Sequence, residues 1–342
     1  MLHHLQQILS HCSVAVQYLW SCCHAGSRVF FLTLSQGEAP RDAFRIARRQ
    51  VGSSRRFSKF GDARHRPPLL VHYHIFKNAG TSFEWALEQA LGNDLMRFDK
   101  SECHGFVSAR ELATIARQHP SIKAISTHQA APPAPTIRGR DVLTSILLRD
   151  PIARVRSIYA FEQRQEQTSE GPIKAKELDF QGYIEWCLKA RPRMFCDFQF
   201  HFLRRYATHH EPLLNESELR KSIAALDAIH IVGTVERYDE WLGLAESVLS
   251  RKFGKLKLQP VRLNSKDAVQ PESQEEIYHD LIVELGLDLA QELLERNQFD
   301  MRLHQVSDAI LSRRLAEEGA EVRLRRAYVE AHRSPLAPPL VG

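Results

Sequence analysis

The feature that most constrains the fold is a short apolar segment that leads directly into a loop carrying lysine and glycine. Leu69 to Ile75 has the sequence LLVHYHI and lies between a Pro-Pro pair and Lys-Asn-Ala-Gly. A short apolar run bounded by turn residues predicts a buried strand. Thr81 and Ser82 are good N-cap residues for a helix that follows the loop. The sequence therefore predicts a strand-loop-helix unit here.

Further predicted strands alternate with predicted helices along the chain. Apolar runs predict strands at Ile122 to Ser126, Val142 to Leu148 and Ile229 to Val232. Helical spacing covers Val107 to Gln118, Ile152 to Glu166, Phe180 to Arg205, Glu216 to Leu226, Tyr238 to Phe253 and Ser273 to about His332. This alternation favours an α/β fold with a central parallel sheet flanked by helices, followed by a helical C-terminal region.

Charge and turn residues divide the chain into three predicted parts. Between Arg41 and Arg66 the chain carries nine Lys and Arg residues against two Asp, which predicts a weakly ordered basic region over residues 1–66. A solvated arm and a contact with an anionic partner are both compatible with it. We expect the α/β domain to span residues 67–270 and a helical C-terminal extension to span 271–342.

Composition narrows the classes of partner. A net charge of +5 over 342 residues is too small for a dedicated nucleic-acid binder, whereas binding of a multiply anionic small molecule fits. Six cysteines form no repeated C-x-x-C pair, which indicates neither a disulfide framework nor a zinc site. The apolar segment from Ser13 to Leu34 is interrupted by polar residues, so membrane association has no clear anchor.

The loop after the first strand carries the groups that an anion needs. In His-Ile-Phe-Lys-Asn-Ala-Gly-Thr-Ser, residues 74–82, Lys77 supplies a positive charge and Gly80 permits close backbone approach. Nucleotide-triphosphate loops place Gly-Lys-Ser/Thr together, but here Lys77 precedes Gly80 by three residues. The spacing argues against an ordinary kinase or GTPase. A merely structural turn is the alternative.

A second motif follows the predicted strand that ends at Leu148. It begins Arg149-Asp-Pro and continues to Ser157 and Tyr159, with proline suited to a first helical turn. An arginine fork and a hydroxyl can donate several charge-assisted hydrogen bonds to one phosphate, which suggests Arg149 and Ser157 as ligands. An ordinary helix start with salt-bridged arginines is the alternative. Arg154 and Tyr159 belong to the same motif, with structural roles as the alternative for both.

Both motifs resemble those of the PAPS-dependent sulfotransferases, namely the membrane-type carbohydrate sulfotransferases and their bacterial relatives. The loop is similar to His-Ile-Pro-Lys-Thr-Ala/Gly-Gly-Thr-Ser, departing at Phe76 and Asn78, and the second motif is similar to Leu-Arg-Asp-Pro-x-x-Arg-x-x-Ser-x-Tyr. Weaker similarities are a Val-Gly-Thr-x-Glu-Arg element at residues 232–237 and Gln199 of an Asn-x-Gln element, in which Asp197 replaces Asn. We expect Glu236 and Arg237 to be structural.

The resemblance implies a P-loop-NTPase-like sheet and a nucleotide donor, 3'-phosphoadenosine 5'-phosphosulfate (PAPS), with no metal. The loop would hold the 5'-phosphosulfate, and Arg149 and Ser157 would grip the 3'-phosphate. The implied loop ligands are Lys77, Asn78, Ala79, Gly80, Thr81 and Ser82. A sulfuryl group would pass in line to a hydroxyl or amine, by resemblance on a carbohydrate, while Lys77 stabilises the leaving group.

The reaction also needs a base, for which the sequence offers three candidates. His128 follows a predicted strand between the two motifs, where strand ends of a parallel sheet converge, and the related proteins have a histidine near this position. Glu84 and His74 are the second and third candidates. We therefore expect Lys77 and His128 to be the catalytic pair.

Two other functions stay open at this point: a nucleotide-binding adaptor without catalysis, and a kinase-like phosphotransferase. The acceptor is not encoded in any motif. The compartment is also open, because a bacterial form would be cytoplasmic and a eukaryotic relative would lie in the Golgi lumen.

Overall fold

The computed structural model describes residues 66–102, 105–166, 169–204, 214–260 and 274–331. The basic region predicted over residues 1–66, apart from Arg66, and the apolar segment from Ser13 to Leu34 lie outside the described residues.

A five-stranded, all-parallel sheet forms the centre of the molecule. Its strands are β1 (Leu69–Tyr73), β2 (Leu95–Arg97), β3 (Ala124–Thr127), β4 (Val142–Leu148) and β5 (Ile231–Thr234), in the spatial order β2-β3-β1-β4-β5. With helices on both faces and a helical C-terminal region, the predicted α/β fold class is confirmed. The central strand β1 has neighbours on both sides, so the loop that follows it lies at the middle of one sheet edge.

The residues of β1 explain why it is central. All five are buried, as expected of a strand covered on both faces, which shows no alternation of apolar and polar residues. Leu69, Val71 and Tyr73 pack into one core cluster, whereas Leu70 packs into a second cluster on the other face. The His72 side chain places Nδ1 3.0 Å from the Ser145 hydroxyl of β4. Burial on both faces fixes the strand in the interior.

Twelve α-helices and one short 3-10 helix, Gly92–Asp94, surround or extend this sheet within the described residues. The α-helices are α1 (Gly80–Leu91), α2 (Ala109–Gln118), α3 (Pro151–Glu162), α4 (Glu170–Glu177), α5 (Phe180–Ala190), α6 (Pro192–Phe195), α7 (Phe198–Arg204), α8 (Glu216–Asp227), α9 (Tyr238–Phe253), α10 (Gln274–Leu285), α11 (Leu287–Glu295) and α12 (Gln298–Ala331). The single helix predicted over Phe180 to Arg205 is wrong, because Pro192 starts a new helix and Asp197 has a φ of 42°. Strand β2 and helix α4 are absent from the sequence predictions.

The start of α1 also differs from the prediction. Its N-cap is Ala79 in the left-handed region, with a φ of 57°, and no side chain caps the helix. The helix therefore begins at Gly80, and Thr81 and Ser82 lie inside its first turn instead of capping it. The physical reason is the backbone: the left-handed residue turns the chain into the helix one residue earlier than a hydroxyl cap would.

Helix α12 is part of the same core as the sheet. Phe299 and Leu303 are buried with residues of β1 and β4. At its start, Asp197 accepts a hydrogen bond from the Asp300 backbone N–H (2.9 Å), and Asp300 accepts bonds from the N–H groups of Gln199 (3.0 Å) and Phe200 (2.7 Å). The two aspartates thus cap the N-termini of each other's helices. The predicted boundary at residue 270 lies outside the described residues, and the three-part division stays a prediction.

The paired aspartates predict a pH effect on stability. Burial and the neighbouring Asp300 raise the pKa of Asp197 to about 8 from an ordinary 3.8. Between these values the folded state holds a proton that the unfolded chain releases, so the free energy of unfolding falls as pH rises. We expect the melting temperature of the wild type to fall between pH 5 and pH 8, and Asp197→Asn to reduce that fall. The exposed Asp288→Asn is the control, and an unchanged pH dependence in Asp197→Asn would contradict the assignment.

Candidate anion-binding and proton-transfer site

The predicted site residues meet at one edge of the sheet. In a parallel sheet all strands end at the same edge, where ligands of open α/β folds bind. Lys77 follows β1, His128 follows β3 and Arg149 follows β4. Because β1 lies between β3 and β4, the loop after β1 has His128 on one side and Arg149 on the other.

The loop backbone from Lys77 to Thr81, which we call the anion cradle, has a geometry that suits a bound anion. Lys77 and Ala79 both have left-handed φ values, 67° and 57°. Successive N–H groups in a turn with left-handed residues converge on one point, which suits an anion at a helix N-terminus. The N–H groups of Ala79, Gly80 and Thr81 donate to no acceptor among the described residues, whereas that of Asn78 donates to the Ile75 carbonyl at 3.2 Å.

Lys77 sits in a partly dehydrated, cationic environment. Its Nζ lies 4.4 Å from the centre of the Phe161 ring. Burial, together with the positive charges of Arg149, Arg164 and Arg154, lowers the pKa of Lys77 to about 8. The described part of the chain provides no carboxylate within ion-pairing distance of this ammonium group. A bound anion would relieve the repulsion among these cations.

Arg149 is fixed against the loop. Its Nη1 donates to the Lys77 carbonyl at 3.1 Å. Its Nε is buried and has no acceptor among the described residues. Burial lowers the pKa of Arg149, although the charges of Glu236 and Asp150 oppose this. A buried donor without an acceptor is costly unless a ligand or a water molecule accepts from it.

A glutamine joins the two motifs. The Gln199 side chain accepts from Asn78 Nδ2 (2.7 Å) and from the Arg149 backbone N–H (2.9 Å), and it donates to the Arg149 carbonyl (2.8 Å). Asn78 Nδ2 also donates to the Leu147 carbonyl at 2.9 Å. The residue that departs from the resembled loop therefore has a structural role, because its carboxamide ties the loop to β4 and α7. Gln199, for which the sequence offered little, is the connecting residue.

The remaining residues of the second motif take different positions. Arg154 is buried, donates to the carbonyls of Phe76 (3.2 Å) and Met194 (2.9 Å), and lies 3.9 Å from the Phe198 ring centre. Arg154 therefore supports the loop from the interior of the protein and does not lie on a solvated helix face. Ser157 is half-buried in α3, and its hydroxyl has no hydrogen bond to a described residue.

The structure also shows where Thr81, Ser82 and the weaker motif at residues 232–237 lie. Thr81 is exposed in the first turn of α1, whereas Ser82 is buried. Glu236 accepts from the Asp150 N–H (3.1 Å) and lies 2.9 Å from His304, while Arg237 pairs with Glu240. The weaker motif is therefore built into structural contacts.

His128 is held by a carboxylate that the sequence analysis did not single out. Its Nδ1 lies 2.9 Å from Oδ2 of Asp99. The other carboxylate oxygen, Oδ1, accepts from the His128 backbone N–H (2.8 Å) and from the Thr127 hydroxyl (2.9 Å). Asp99 follows the short strand β2, and recognising that strand would have placed it at the same sheet edge. An imidazole backed by a carboxylate is a common general base.

All three base candidates lie in one cluster. The rings of His74 and His128 stack with centres 3.9 Å apart, and His74 Nδ1 lies 2.9 Å from Glu84 Oε1. Glu84 also accepts from the Ser126 hydroxyl (2.5 Å) and from Arg97 Nε (3.0 Å). The side chains of His74 and Glu84 are 4% and 6% exposed, against 12% for His128. His128 is therefore the most solvent-exposed of the three candidates.

The pKa shifts of His128 and Glu84 distinguish which of the two can accept a proton. Burial and the neighbouring His74 lower the pKa of His128, against the opposing effect of Asp99. Burial tends to raise the pKa of Glu84, but the charge and hydrogen bond of His74 and the bond from Ser126 hold it well below its ordinary value. His128 is thus neutral and able to accept a proton at neutral pH, whereas Glu84 is ionised and occupied.

Gly80 has a packing role that the sequence did not indicate. A Cβ at this position would lie 2.1 Å from Cδ2 of His74, which real Cβ contacts do not allow. The glycine therefore makes room for the His74 ring as well as for a ligand. His74 is stacked on His128 and bonded to Glu84, so the ring has little room to move away.

We expect Gly80→Ala to displace His74 and to destabilise the fold by about 1–3 kcal/mol, the usual cost of overpacking. The matched control is Gly243→Ala on α9, where an added Cβ meets nothing within 4 Å and helix propensity favours alanine. Urea unfolding of both variants measures the difference. Equal stability of Gly80→Ala and Gly243→Ala would contradict the packing role.

Two properties of the described residues bear on the class of site. They contain no cluster of three or more His, Cys, Asp or Glu side chains arranged to hold a metal ion. None of the helices seen in these ranges has the length and apolar character required to cross a bilayer.

Comparison with known proteins adds one relative. No protein-family model matches the chain. A protein from Archaeoglobus fulgidus described as uncharacterized is 27% identical over 239 residues, which cover 69% of this chain and 94% of the relative. That description names no activity, so the function is argued from the geometry of the site.

Proposed function

We propose that this protein is a PAPS-dependent sulfotransferase. The observation that carries the proposal is the pair of cations Lys77 and Arg149, held against a loop of N–H groups that donate to no described residue. Half-buried cations without a carboxylate partner are disfavoured by partial dehydration, and a bound anion would offset this cost. A nucleotide with phosphate at both its 3' and 5' positions supplies two anionic groups for such a site.

In this proposal each part of the cradle has a separate role. The backbone of Ala79, Gly80 and Thr81 binds the 5' group, and Lys77 stabilises charge on the leaving phosphate oxygen. Arg149, assisted by Ser157, binds the 3'-phosphate. PAPS supplies an activated sulfuryl group when bound. Positioned donors of this type contribute about 10²- to 10³-fold each to the rate.

His128 accepts the proton of the attacking group. It is neutral at physiological pH, and the carboxylate of Asp99 stabilises the positive charge that forms on the ring. The acceptor is a hydroxyl or an amine, and by the resemblance of the motifs a carbohydrate. Because no membrane anchor is needed for this chemistry, the proposal is independent of where the protein resides.

The alternatives receive less support. A kinase-like phosphotransferase is disfavoured by the loop, in which Lys77 precedes Gly80 by three residues and the Gly-Lys-Ser/Thr arrangement of nucleotide-triphosphate loops is missing. A non-catalytic adaptor would have no use for a carboxylate-backed histidine beside the cradle.

Transfer of labelled sulfate tests the proposal. The protein is incubated with PAPS carrying ³⁵S and a panel of glycans, and labelled products are separated by chromatography. We expect transfer from PAPS that persists in EDTA and is lost in Lys77→Ala. Transfer from ATP and Mg²⁺ instead would favour the kinase, and tight nucleotide binding without any transfer would favour the adaptor.

A further inference from the structure

Asp99 occupies a rigidly held position in the proton-transfer cluster. On one side, the Phe98 N–H donates to the Ser126 carbonyl of β3 at 2.9 Å. On the other side, the Lys100 N–H donates to Gln129 Oε1 at 2.6 Å, and Gln129 Nε2 returns a bond to the Lys100 carbonyl. The backbone on both sides of Asp99 is thus tied to the segment that carries His128. This is the support that a positioning residue requires.

We propose that Asp99 is a positioning residue that fixes His128 in the tautomer with the proton on Nδ1 and the lone pair on Nε2. Its Oδ1 is occupied by the Thr127 hydroxyl and the His128 N–H, so Oδ2 faces the ring. An ionised carboxylate can only accept, which requires Nδ1 to donate. The assignment of a catalytic purpose rests on the proposed function.

The groups that face His128 support this arrangement. His74, which follows β1, stacks on the ring. Asp99, which follows β2, lies within hydrogen-bonding distance of Nδ1, and Glu84 of α1 acts on the ring through its negative charge. His74 is itself paired with the ionised Glu84. Burial and the stacked ring of His74 disfavour a positive charge on His128 and lower its pKa, so the ring is neutral before the transfer.

The position of the ring completes the geometry. His74 lies directly against Gly80, since an added Cβ there would be 2.3 Å from His74 Nε2. His128 stacks on that ring at 3.9 Å, which places it one ring away from the anion cradle. The candidate base and the anion cradle are therefore neighbours at this edge of the sheet.

The proposed sulfuryl transfer needs no reactant other than PAPS and the acceptor. The acceptor O–H gives its proton to Nε2 of His128, and the acceptor oxygen forms a bond to sulfur. The bond between sulfur and the bridging oxygen breaks, and its electron pair stays on the 5'-phosphate beside Lys77. Asp99 accepts no proton in this step, and His128 afterwards releases the proton to water.

The change Asp99→Asn separates orientation from fold. The asparagine Oδ1 can keep both bonds to Thr127 and to the His128 N–H, which leaves the amide NH₂ facing Nδ1. That group donates, so the ring must then carry its proton on Nε2. We expect the variant to fold, to bind 3'-phosphoadenosine 5'-phosphate (PAP) as the wild type does, and to transfer sulfate about 10²- to 10⁴-fold more slowly.

The tautomer is read directly by long-range ¹H–¹⁵N NMR on protein labelled at histidine, with the His128 signals assigned by their loss in His128→Gln. We expect Nδ1–H in the wild type and in the control Asp94→Asn, and Nε2–H in Asp99→Asn. Nε2–H in the wild type, or no change in Asp99→Asn, would overturn the assignment. The spectrum needs neither donor nor acceptor, so failure of the sulfotransferase proposal would appear separately, as absence of PAP binding.

Discussion

Arg149→Ala is expected to weaken binding of PAP by about 10- to 100-fold while changing the affinity for adenosine 5'-phosphate little. The guanidinium has a buried Nε with no acceptor in the described part of the chain, and Nη1 already bonds the loop. A charge-assisted hydrogen bond contributes about 1.5–3 kcal/mol, and each 1.4 kcal/mol is a factor of ten. Calorimetric titration with both nucleotides measures the ratio of affinities.

The ratio is the decisive quantity because Arg149 also supports the loop through the Lys77 carbonyl. A displaced loop would weaken both nucleotides equally, whereas a lost 3'-phosphate contact affects only PAP. Arg156→Ala is the matched control, since Arg156 belongs to the same motif but pairs with Glu284 on α10. An equal loss of affinity for both nucleotides would show that Arg149 does not bind the 3'-phosphate.

Lys77 is expected to make PAP affinity depend on pH. With a pKa of about 8, set by burial and neighbouring arginines, it is charged below that pH and neutral above it. An anion binds the charged form, so above pH 8 binding must take up a proton, and affinity falls about tenfold per pH unit. Lys77→Ala should bind more weakly at pH 7 and lose this dependence.

The proton uptake can be measured separately from affinity. Calorimetry near pH 8 in two buffers of different ionisation enthalpy gives different apparent binding enthalpies if a proton is taken up. We expect that difference for the wild type and its absence for Lys77→Ala. Lys77→Arg keeps a charge at this position at higher pH and should show no uptake either. The same uptake in Lys77→Ala would show that another group titrates.

The fold was predictable where local patterns and burial agree. The ranges of β4 and α9 match their predictions at both ends, since an uninterrupted apolar run and a strong 3.6-residue period each leave little ambiguity. Strand β2 has only three residues, Leu95–Arg97, and none is fully buried. The sequence therefore contains no apolar run long enough to predict this strand. It exists because it pairs with β3, a tertiary contact that spacing does not encode.

For the candidate site too, features set by local sequence patterns were predictable and features set by tertiary contacts were not. The location of Lys77, His128 and Arg149 at one sheet edge was predictable, because each follows a predictable strand and parallel strands end at one edge. Asp99 was missed together with β2. The burial of Arg154 was missed because the helical period does not show what packs against the helix: its partners are the carbonyls of Phe76 and Met194, from a loop and a distant helix.

Titration of the wild type with PAP, alongside ATP with Mg²⁺, tests the central claim most directly. We expect micromolar binding of PAP that needs no metal and weak or undetectable binding of ATP, because the cradle offers two separate anion contacts, Lys77 and Arg149, and its loop lacks the Gly-Lys-Ser/Thr arrangement of nucleotide-triphosphate loops. Absence of PAP binding by a folded wild type, or tighter binding of ATP with Mg²⁺, would contradict the account.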